Sequence, residues 1–328
     1  MIASRLRTIV LVVISAFLLV LLGGYLVDRF SKPDRLDIQV IIKSTDDSVE
    51  FWQVMMDGIE VAANEFGPSV AITGSRSEAD IDGQIALVED AIEKKPDAII
   101  LAANDIDRLV PVVEKGESRG IRFFIVDSGI DSDVPESVIA TDNIKAGEAA
   151  GTEMLRHLEG TGKVAILNFV GTAASLIDRD RGVRSVLEGK PGIELMDTFD
   201  AAGSLSNAYE IAKRVLSEHP DVRGIVGLNE PTTVGAARAI KELGLAGQVK
   251  LIGFDSSVNE IKLLEEEVMQ ATIIQKPFQM GYLSIKTAVE ALGGASVPRV
   301  IDTGSLVITK RNMYEEENQK LLFPFYDR

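Results

Sequence analysis

Short apolar runs and longer amphipathic stretches alternate along the chain from residue 37 onward. The short runs are rich in β-branched residues, so they predict buried strands. The predicted strands cover residues 38–42, 70–73, 98–102, 123–126, 138–141, 164–167, 193–196, 224–226, 249–252, 271–274 and 306–308. The longer stretches repeat apolar residues at helical spacing. The predicted helices cover residues 51–62, 80–93, 106–118, 146–158, 181–187, 208–217, 233–243, 259–266 and 281–292.

This alternation predicts an α/β fold with two lobes. Strands that are separated by helices pair in parallel, through right-handed crossovers. The series of strands and helices starts afresh after the segment at residues 138–141. Each series therefore predicts one doubly wound parallel sheet.

Residues 9–27 form an uncharged and almost wholly apolar segment. At about 1.5 Å per residue, this segment can cross most of a hydrocarbon layer that is roughly 30 Å thick. Arg5 and Arg7 precede it, which places the N-terminus in the cytoplasm and the rest of the chain outside. The sequence thus predicts a single-pass anchor in the cell membrane. A cleaved secretory signal is the alternative, although residues 23–27 make a poor cleavage site.

Composition excludes several classes of function. The 328-residue chain has a net charge of −16, which argues against a nucleic-acid surface because phosphate binding needs clustered Lys and Arg. It has no cysteine, which excludes disulfides, thiolate metal sites, cysteine nucleophiles and a lipid-modified cysteine. Its two histidines, His157 and His219, suggest neither a metal site nor a nucleophile–base pair. We therefore expect no cofactor, no metal and no enzymatic activity.

Residues suited to ligand binding follow the ends of the predicted strands. Phe51 and Trp52, the only tryptophan, begin the helix after the first strand. Polar residues follow strands of both series, among them Asp127, Asn229 and Asp255. Open α/β sheets bind small ligands at the carboxyl ends of their strands. The side chains would converge on one cleft if the two lobes face each other.

A set of short motifs gives the chain a family resemblance. The motifs are Phe51-Trp52 ahead of Asp57-Gly58, Asp127 closing a strand, Thr141-Asp142-Asn143, Arg179-Asp180-Arg181-Gly182, His219-Pro220-Asp221-Val222, Asn229-Glu230, Gly253-Phe254-Asp255, and Ala271 to Gln275. In this order, residues 37–310 resemble the type I periplasmic binding proteins for sugars, the ribose-binding-like group that serves ABC importers. The resemblance implies two lobes joined by hinge strands near Thr141, Lys276 and Asp302.

The resemblance also implies domain bounds. Residues 36–141 plus 277–302 would form the N-terminal lobe, and residues 142–276 plus 303–312 the C-terminal lobe. Residues 1–35 would be the membrane anchor and tether. Residues 313–328 extend beyond the family pattern as an apolar and aromatic tail.

Carried over residue by residue, the resemblance implies a sugar held between the lobes. The implied ligand-binding residues are Phe51, Trp52, Asp127, Ser128, Arg181, Asn229, Phe254, Asp255 and Gln275. Aromatic rings suit the C–H faces of a sugar, and carboxylates, amides and a planar Arg suit its hydroxyl rim. Ser128 stands where the ribose binder has an arginine, which leaves the particular sugar open.

Each polar candidate also has a structural interpretation. Asp127 and Asp255 can cap the helices that follow them. Arg181 can belong to a surface charge network with its acidic neighbours, whereas Arg179 is interpreted as the structural member of the pair. Gln275 precedes Lys276 and can serve as a hinge residue.

These observations predict a membrane-tethered, extracytoplasmic binding protein for a monosaccharide or small polyol. Lobe closure would present the ligand to an ABC importer permease. One alternative is the sugar-sensing subunit of a membrane histidine kinase, because the predicted anchor lacks a lipid site and the tail is aromatic. A remote alternative is a DNA-binding transcriptional regulator with the same core, although residues 9–27 occupy the place of its headpiece.

Overall fold

Twelve strands supply the two sheets of the computed structural model, which describes residues 35–46 and 49–323. They are β1 (Asp37–Ile42), β2 (Ser69–Gly74), β3 (Ala98–Leu101), β4 (Arg122–Val126), β5 (Val138–Ala140), β6 (Gly162–Asn168), β7 (Ile193–Asp200), β8 (Val222–Gly227), β9 (Lys250–Phe254), β10 (Ala271–Ile274), β11 (Val300–Asp302) and β12 (Leu306–Ile308).

Ten helices connect or follow these strands in the described residues. They are α1 (Glu50–Phe66), α2 (Ile81–Glu93), α3 (Val110–Glu117), α4 (Asn143–His157), α5 (Ala174–Leu187), α6 (Leu205–Glu218), α7 (Glu230–Glu242), α8 (Val258–Glu265), α9 (Pro277–Leu292) and α10 (Glu316–Leu322).

Two six-stranded sheets define the two lobes. The first has the order β11-β5-β4-β3-β1-β2 and is parallel throughout. The second has the order β12-β10-β9-β8-β6-β7, and only β12 runs antiparallel to its neighbour. The predicted two-lobed α/β fold with parallel sheets is confirmed.

The central strands are apolar on both faces because helices cover both sides of each sheet. In β1, Val40 packs into the core shared with α1 and α9, and its neighbour Ile41 packs into the core beneath α2 and α3. Both side chains are fully buried. The second sheet likewise lies between two buried apolar clusters. Rigid sheets of this kind hold their carboxyl edges in fixed positions.

Three segments cross between the lobes. They link β5 to α4, β10 to α9, and β11 to β12. The first and third are hydrogen-bonded to each other: Thr303 N–H donates to the Ala140 carbonyl at 2.9 Å, and Asp142 N–H donates to Asp302 Oδ1 at 3.0 Å. These bonds hold the first and third crossing segments side by side.

Helices α1 and α9 approach so closely that their contact requires glycine. A Cβ atom on Gly58 would lie 2.1 Å from the carbonyl oxygen of Phe278, and one on Gly281 would lie 2.2 Å from that of Met55. Backbone atoms cannot move aside as a flexible side chain can. The two glycines therefore allow α1 to pack closely against the first turns of α9.

We expect Gly58→Ala to lower the free energy of unfolding by about 1–3 kcal/mol, because the added methyl group overpacks this contact. Urea denaturation of the two proteins measures the difference. Gly129→Ala is the matched control: no atom lies within 4 Å of its added Cβ, and we expect a change within about 0.5 kcal/mol. Equal stability of wild type and Gly58→Ala would contradict the close contact.

The predicted membrane anchor, residues 9–27, lies outside the described residues. Within residues 35–46 and 49–323, no helix is long and apolar enough to cross a membrane. The described part of the C-terminal tail forms α10, and Met313 and Leu322 pack into a core cluster of the second lobe.

Candidate ligand-binding site

A cavity lies between the lobes, where the carboxyl edges of both sheets meet. The first lobe contributes Lys43, Val49, Phe51, Trp52, Glu78 and Asp127. The second lobe contributes Ser175, Leu176, Arg179, Asn229, Pro231, Asp255 and Gln275. Aromatic, charged and amide side chains of both lobes thus line one space.

The wall on the first lobe is aromatic. Phe51 and Trp52 begin α1 and pack edge to face, with ring centroids 5.0 Å apart. Trp52 is only 2 % exposed, and its Nε1–H donates a hydrogen bond to Glu78 Oε1 at 3.1 Å. Burial raises the pKa of Glu78, whereas the charge of Lys43 and the hydrogen bond from Trp52 act in the opposite direction. The bond holds the indole ring in a fixed orientation at the cavity.

A buried ion pair links the first sheet to the cavity. Lys43 Nζ lies 2.8 Å from Asp127 Oδ2, and each side chain is 4 % exposed. Lys43 Nζ also donates to Ser175 Oγ of the other lobe at 3.1 Å. Asp127 has a φ of 64°, a left-handed conformation that is uncommon outside glycine, asparagine and aspartate. The chain thus turns sharply at this strand end, next to the cavity.

Helix α5 presents Ser175 and Arg179 to the cavity because residues four apart lie on one helical face. Arg179 Nε–H donates to Asn143 Oδ1 at 2.9 Å, and Nη1–H donates to the Leu228 carbonyl at 2.8 Å. Its guanidinium carbon lies 4.6 Å from the centroid of the Phe254 ring. These contacts fix a buried guanidinium group at the cavity wall.

Asp255 and Gln275 form the end of the cavity near the hinge. Asp255 Oδ1 accepts a hydrogen bond from Gln275 Nε2 at 2.7 Å, and Oδ2 accepts one from the backbone N–H of Glu230 at 3.1 Å. Burial raises the pKa of Asp255, and the charge of Arg179 acts in the opposite direction. Gln275 Oε1 is buried and has no hydrogen-bond partner among the described residues. An acceptor in this state is suited to a hydroxyl group of a ligand.

Asn229 lines the cavity and also caps helix α7. Its Oδ1 accepts from the backbone N–H of Thr232 at 3.2 Å, as part of a capping box. The cap fixes the side chain and the start of α7 at the cavity. The capping and binding roles of this residue are therefore compatible.

The structure brings six of the nine sequence-predicted ligand residues to the cavity and leaves three away from it. Those at the cavity are Phe51, Trp52, Asp127, Asn229, Asp255 and Gln275. Ser128 lies behind the cavity, where its Oγ accepts from the backbone N–H of Ser175 at 3.2 Å. Phe254 supports the Arg179 guanidinium instead of forming a wall. The roles of the six in ligand binding stay predictions.

Arg181 is the third residue away from the cavity, whereas Arg179, which was interpreted as structural, lines it. The Arg181 side chain is 69 % exposed and lies 3.6 Å from Asp178. The helix was predicted to begin at residue 181, whereas α5 begins at Ala174. Two residues correspond to about 200° of helical rotation, so Arg181 cannot share the face that carries Ser175 and Arg179.

Four polar cavity residues were absent from the sequence-based candidates: Lys43, Glu78, Ser175 and Arg179. Lys43 directly follows β1, and its position at a strand end was the available signal. The spacing of Ser175 and Arg179 was a second signal, which the late predicted start of α5 concealed. Glu78 lies in the loop after β2, and its burial against Trp52 has no signature in the sequence.

The charges around the cavity nearly cancel. Lys43 pairs with Asp127, and the charge of Arg179 acts on Asp255. Glu78 has a raised pKa because it is buried. A charged ligand would bring an unpaired charge into this buried site, which costs free energy. The near balance of positive and negative side chains therefore favours an uncharged ligand that forms hydrogen bonds. Among the described residues, no three His, Asp or Glu side chains are placed to hold a metal ion.

The stability of the protein should depend on pH through Glu230. Burial raises the pKa of Glu230 to about 8, and the nearby charges of Asp255 and Glu50 act in the same direction. Between about pH 4.5 and 8, the folded protein keeps a proton that the unfolded chain has released. The free energy of unfolding should therefore fall as the pH rises through this range.

Urea denaturation at pH 4.5, 6 and 8 measures this dependence, and Glu230→Gln should make it shallower. Glu60→Gln, a change at an exposed glutamate of α1, is the control and should leave the slope unchanged. Identical slopes for wild type and Glu230→Gln would contradict the assignment of the proton to Glu230.

The fold and the cavity together define the class of two-lobed solute-binding proteins. A family model described as a periplasmic binding protein domain matches residues 38–296. The chain belongs to this family, and within it to the type I periplasmic sugar-binding proteins of the ribose-binding-like group. The family resemblance found in the sequence is thus confirmed. The relatives are non-enzymatic solute-binding proteins of ABC transporters, so the prediction that the chain is not an enzyme is also confirmed.

Two relatives of similar length are binding proteins for ribose or allose. The chain is 27 % identical over 271 residues to the D-ribose/D-allose-binding protein of Pseudomonas aeruginosa. This alignment covers 80 % of the present chain and 84 % of the relative. The chain is 30 % identical over 261 residues to the D-allose-binding periplasmic protein of Escherichia coli, with 77 % and 83 % covered.

Solved structures of relatives have the same fold. An Agrobacterium vitis ABC transporter solute-binding protein with bound D-fucose superimposes with a TM-score of 0.83 at 33 % identity, covering 87 % of this chain and 99 % of that one. A carbohydrate transporter solute-binding protein from Agrobacterium radiobacter, in complex with D-arabinose, gives a TM-score of 0.84 at 28 % identity, with 88 % and 99 % covered.

Proposed function

We propose that this protein binds a monosaccharide or small polyol between its lobes and delivers it to an ABC importer. The observation that carries the proposal is a cavity with aromatic side chains on one wall and balanced, hydrogen-bonding groups on the other. A sugar ring presents C–H faces to aromatic rings and needs partners for every buried hydroxyl. The relatives' ligands (ribose, allose, arabinose and fucose) are sugars of this kind.

Closure of the lobes is the proposed mechanism, and direct bonds across the cleft support it. Ser175 of α5 bonds to Lys43 and Ser128 of the first lobe. The backbone N–H of Val258 donates to Glu50 Oε1 at 3.3 Å. A ligand that contacts both walls binds the closed state more tightly than the open one, and that difference shifts the population toward closure.

The importer is the partner that we propose, with the protein held at the outer face of the membrane. The relatives named above include components of ABC transporters, whereas nothing in the comparisons favours a sensor kinase. Residues 9–27 would serve as the tether, on the strength of their length and lack of charge. Alkaline extraction of membranes tests the tether: the full chain should stay with the membrane and a chain lacking residues 9–27 should not.

Thermal melting of the full-length protein against a panel of pentoses, hexoses, cyclitols and small sugar alcohols tests the ligand class. A binding sugar at 100 times its Kd stabilises the folded state by about 2.7 kcal/mol. Trp52→Ala should abolish the shift. A melting temperature that responds to an amino acid or a nucleotide, and to no sugar, would reject the proposal.

A further inference from the structure

A groove with a largely apolar lining lies where the chain crosses from β10 to α9. Its apolar side chains include Val54 of α1, Pro277 and Phe278 of α9, and Leu321 and Leu322 of α10. The Phe278 side chain is 38 % exposed, so the described residues cover its ring only in part. An apolar groove at the surface marks a site for another chain segment or another molecule.

The walls of the groove come from both lobes. Helices α1 and α9 pack together in a core of the first lobe. Helix α10 packs on the second lobe, with Met313 and Leu322 in a core cluster there. Ser256, which follows β9 of the second sheet, also lines the groove. A segment in the groove would therefore contact both lobes at once.

The chain continues into this groove from α10. The helix ends at Leu322, which is itself part of the groove lining. Residues 324–328, which lie outside the described part of the chain, read Pro-Phe-Tyr-Asp-Arg. Pro324 lacks the N–H group that would continue a helix. Five extended residues reach about 17 Å, about the length of three helical turns, whereas the α1 wall from Glu50 to Val54 is little more than one turn long.

Residues 324–328 match the groove in chemistry. Phe325 and Tyr326 can each bury about 150–250 Å², and this burial against the apolar lining is favourable. Asp327 carries a charge opposite to that of Lys276 and Lys320, which also line the groove. A wholly polar occupant would leave the apolar lining without cover.

We infer that residues 324–328 occupy this groove and form a strap that joins the two lobes. Glu50 of the groove already bonds across the lobes, because its Oε1 accepts a hydrogen bond from the Val258 N–H at 3.3 Å. The strap favours the same arrangement of the lobes, in which the walls of the groove lie close together. A sugar between the lobes favours this arrangement too, so the strap and the sugar strengthen each other's binding. This last step rests on the proposed sugar-binding function.

Cysteine crosslinking of the full-length protein tests the position of the strap. The chain has no cysteine, so the only thiols are the introduced ones. The test pair is Tyr326→Cys with Gln279→Cys, a change at an exposed residue of the groove. The control pair is Tyr326→Cys with Val300→Cys, a change at a residue that is 64 % exposed and outside the groove.

A short bismaleimide should crosslink the test pair within one chain at least about tenfold faster than the control pair, because the strap holds the two thiols at a high effective concentration. Equal rates for the two pairs, or crosslinks that form only between chains, would overturn the inference. The proposed sugar-binding function would stand in either case.

Isothermal titration with the best sugar of the panel tests the coupling between the strap and the sugar. Deletion of residues 324–328 should weaken sugar binding at least about fivefold, and Phe325→Ala should weaken it in the same direction. Tyr314→Ala, a change at an exposed aromatic residue outside the groove, is the control and should leave the affinity unchanged. An unchanged affinity after the deletion would overturn the inference that the strap joins the lobes. If no sugar binds the wild-type protein, the proposed function is overturned, and the crosslinking rates still decide the position of the strap.

Discussion

Replacing Arg179 by alanine is expected to abolish sugar binding and to lower the free energy of unfolding by about 3–5 kcal/mol. Arg179 is 2 % exposed, and its positive charge acts on Asp255. Its loss also removes the donors to Asn143 Oδ1 and to the Leu228 carbonyl. Two buried acceptors would then lack these donors, and Asp255 would lose a neighbouring positive charge. Deleting one partner of a buried polar contact costs more than replacing both.

Arg181→Ala provides the matched control, because it removes the same group two residues away. The Arg181 side chain is 69 % exposed, and its ion pair with Asp178 is at the surface. Exposed pairs of this kind contribute about 0–1 kcal/mol, so binding and stability should change little. Urea denaturation and isothermal titration with the best sugar of the panel measure both effects. Loss of binding in Arg181→Ala, with Arg179→Ala unaffected, would overturn the placement of the two side chains.

Lys43→Met is expected to have the second large effect. The substitution leaves Asp127 buried at 4 % exposure without its cation, and it removes the bond to Ser175 across the cleft. We expect a loss of about 3–5 kcal/mol in the free energy of unfolding and at least a hundredfold weaker sugar binding. Urea denaturation and isothermal titration again measure these quantities.

The double variant Lys43→Met/Asp127→Asn separates the two effects. Asparagine removes the buried charge and tolerates the left-handed backbone of residue 127, so the double variant should recover part of the lost stability without recovering sugar binding. Lys115→Met is the control, because Lys115 lies at the same 2.8 Å from Glu89 but both side chains are more than 40 % exposed. A loss in Lys115→Met as large as that in Lys43→Met would show that burial is not the cause.

The sequence was sufficient for the fold because its signals are local and repeated. A β-branched run such as β1 and an amphipathic helix such as α1 are each encoded within a few residues. Their alternation implies parallel sheets and crossovers whatever the exact boundaries. The boundaries were predicted less accurately: α5 begins seven residues before its predicted start, because the charged residues 178–180 interrupt the apolar pattern of the helix.

What the sequence alone determined is the two-lobed architecture, the family, and the strand ends that border the cavity, among them those at Asp127, Asp255 and Gln275. Only the tertiary structure decided which side chains face the cavity. The difference between Arg179 and Arg181 is one of helical rotation, and the pairing of Trp52 with Glu78 joins residues 26 positions apart. Residue types and their spacing determine whether a segment can form a helix or a strand. The burial and orientation of each side chain arise only when distant segments pack together.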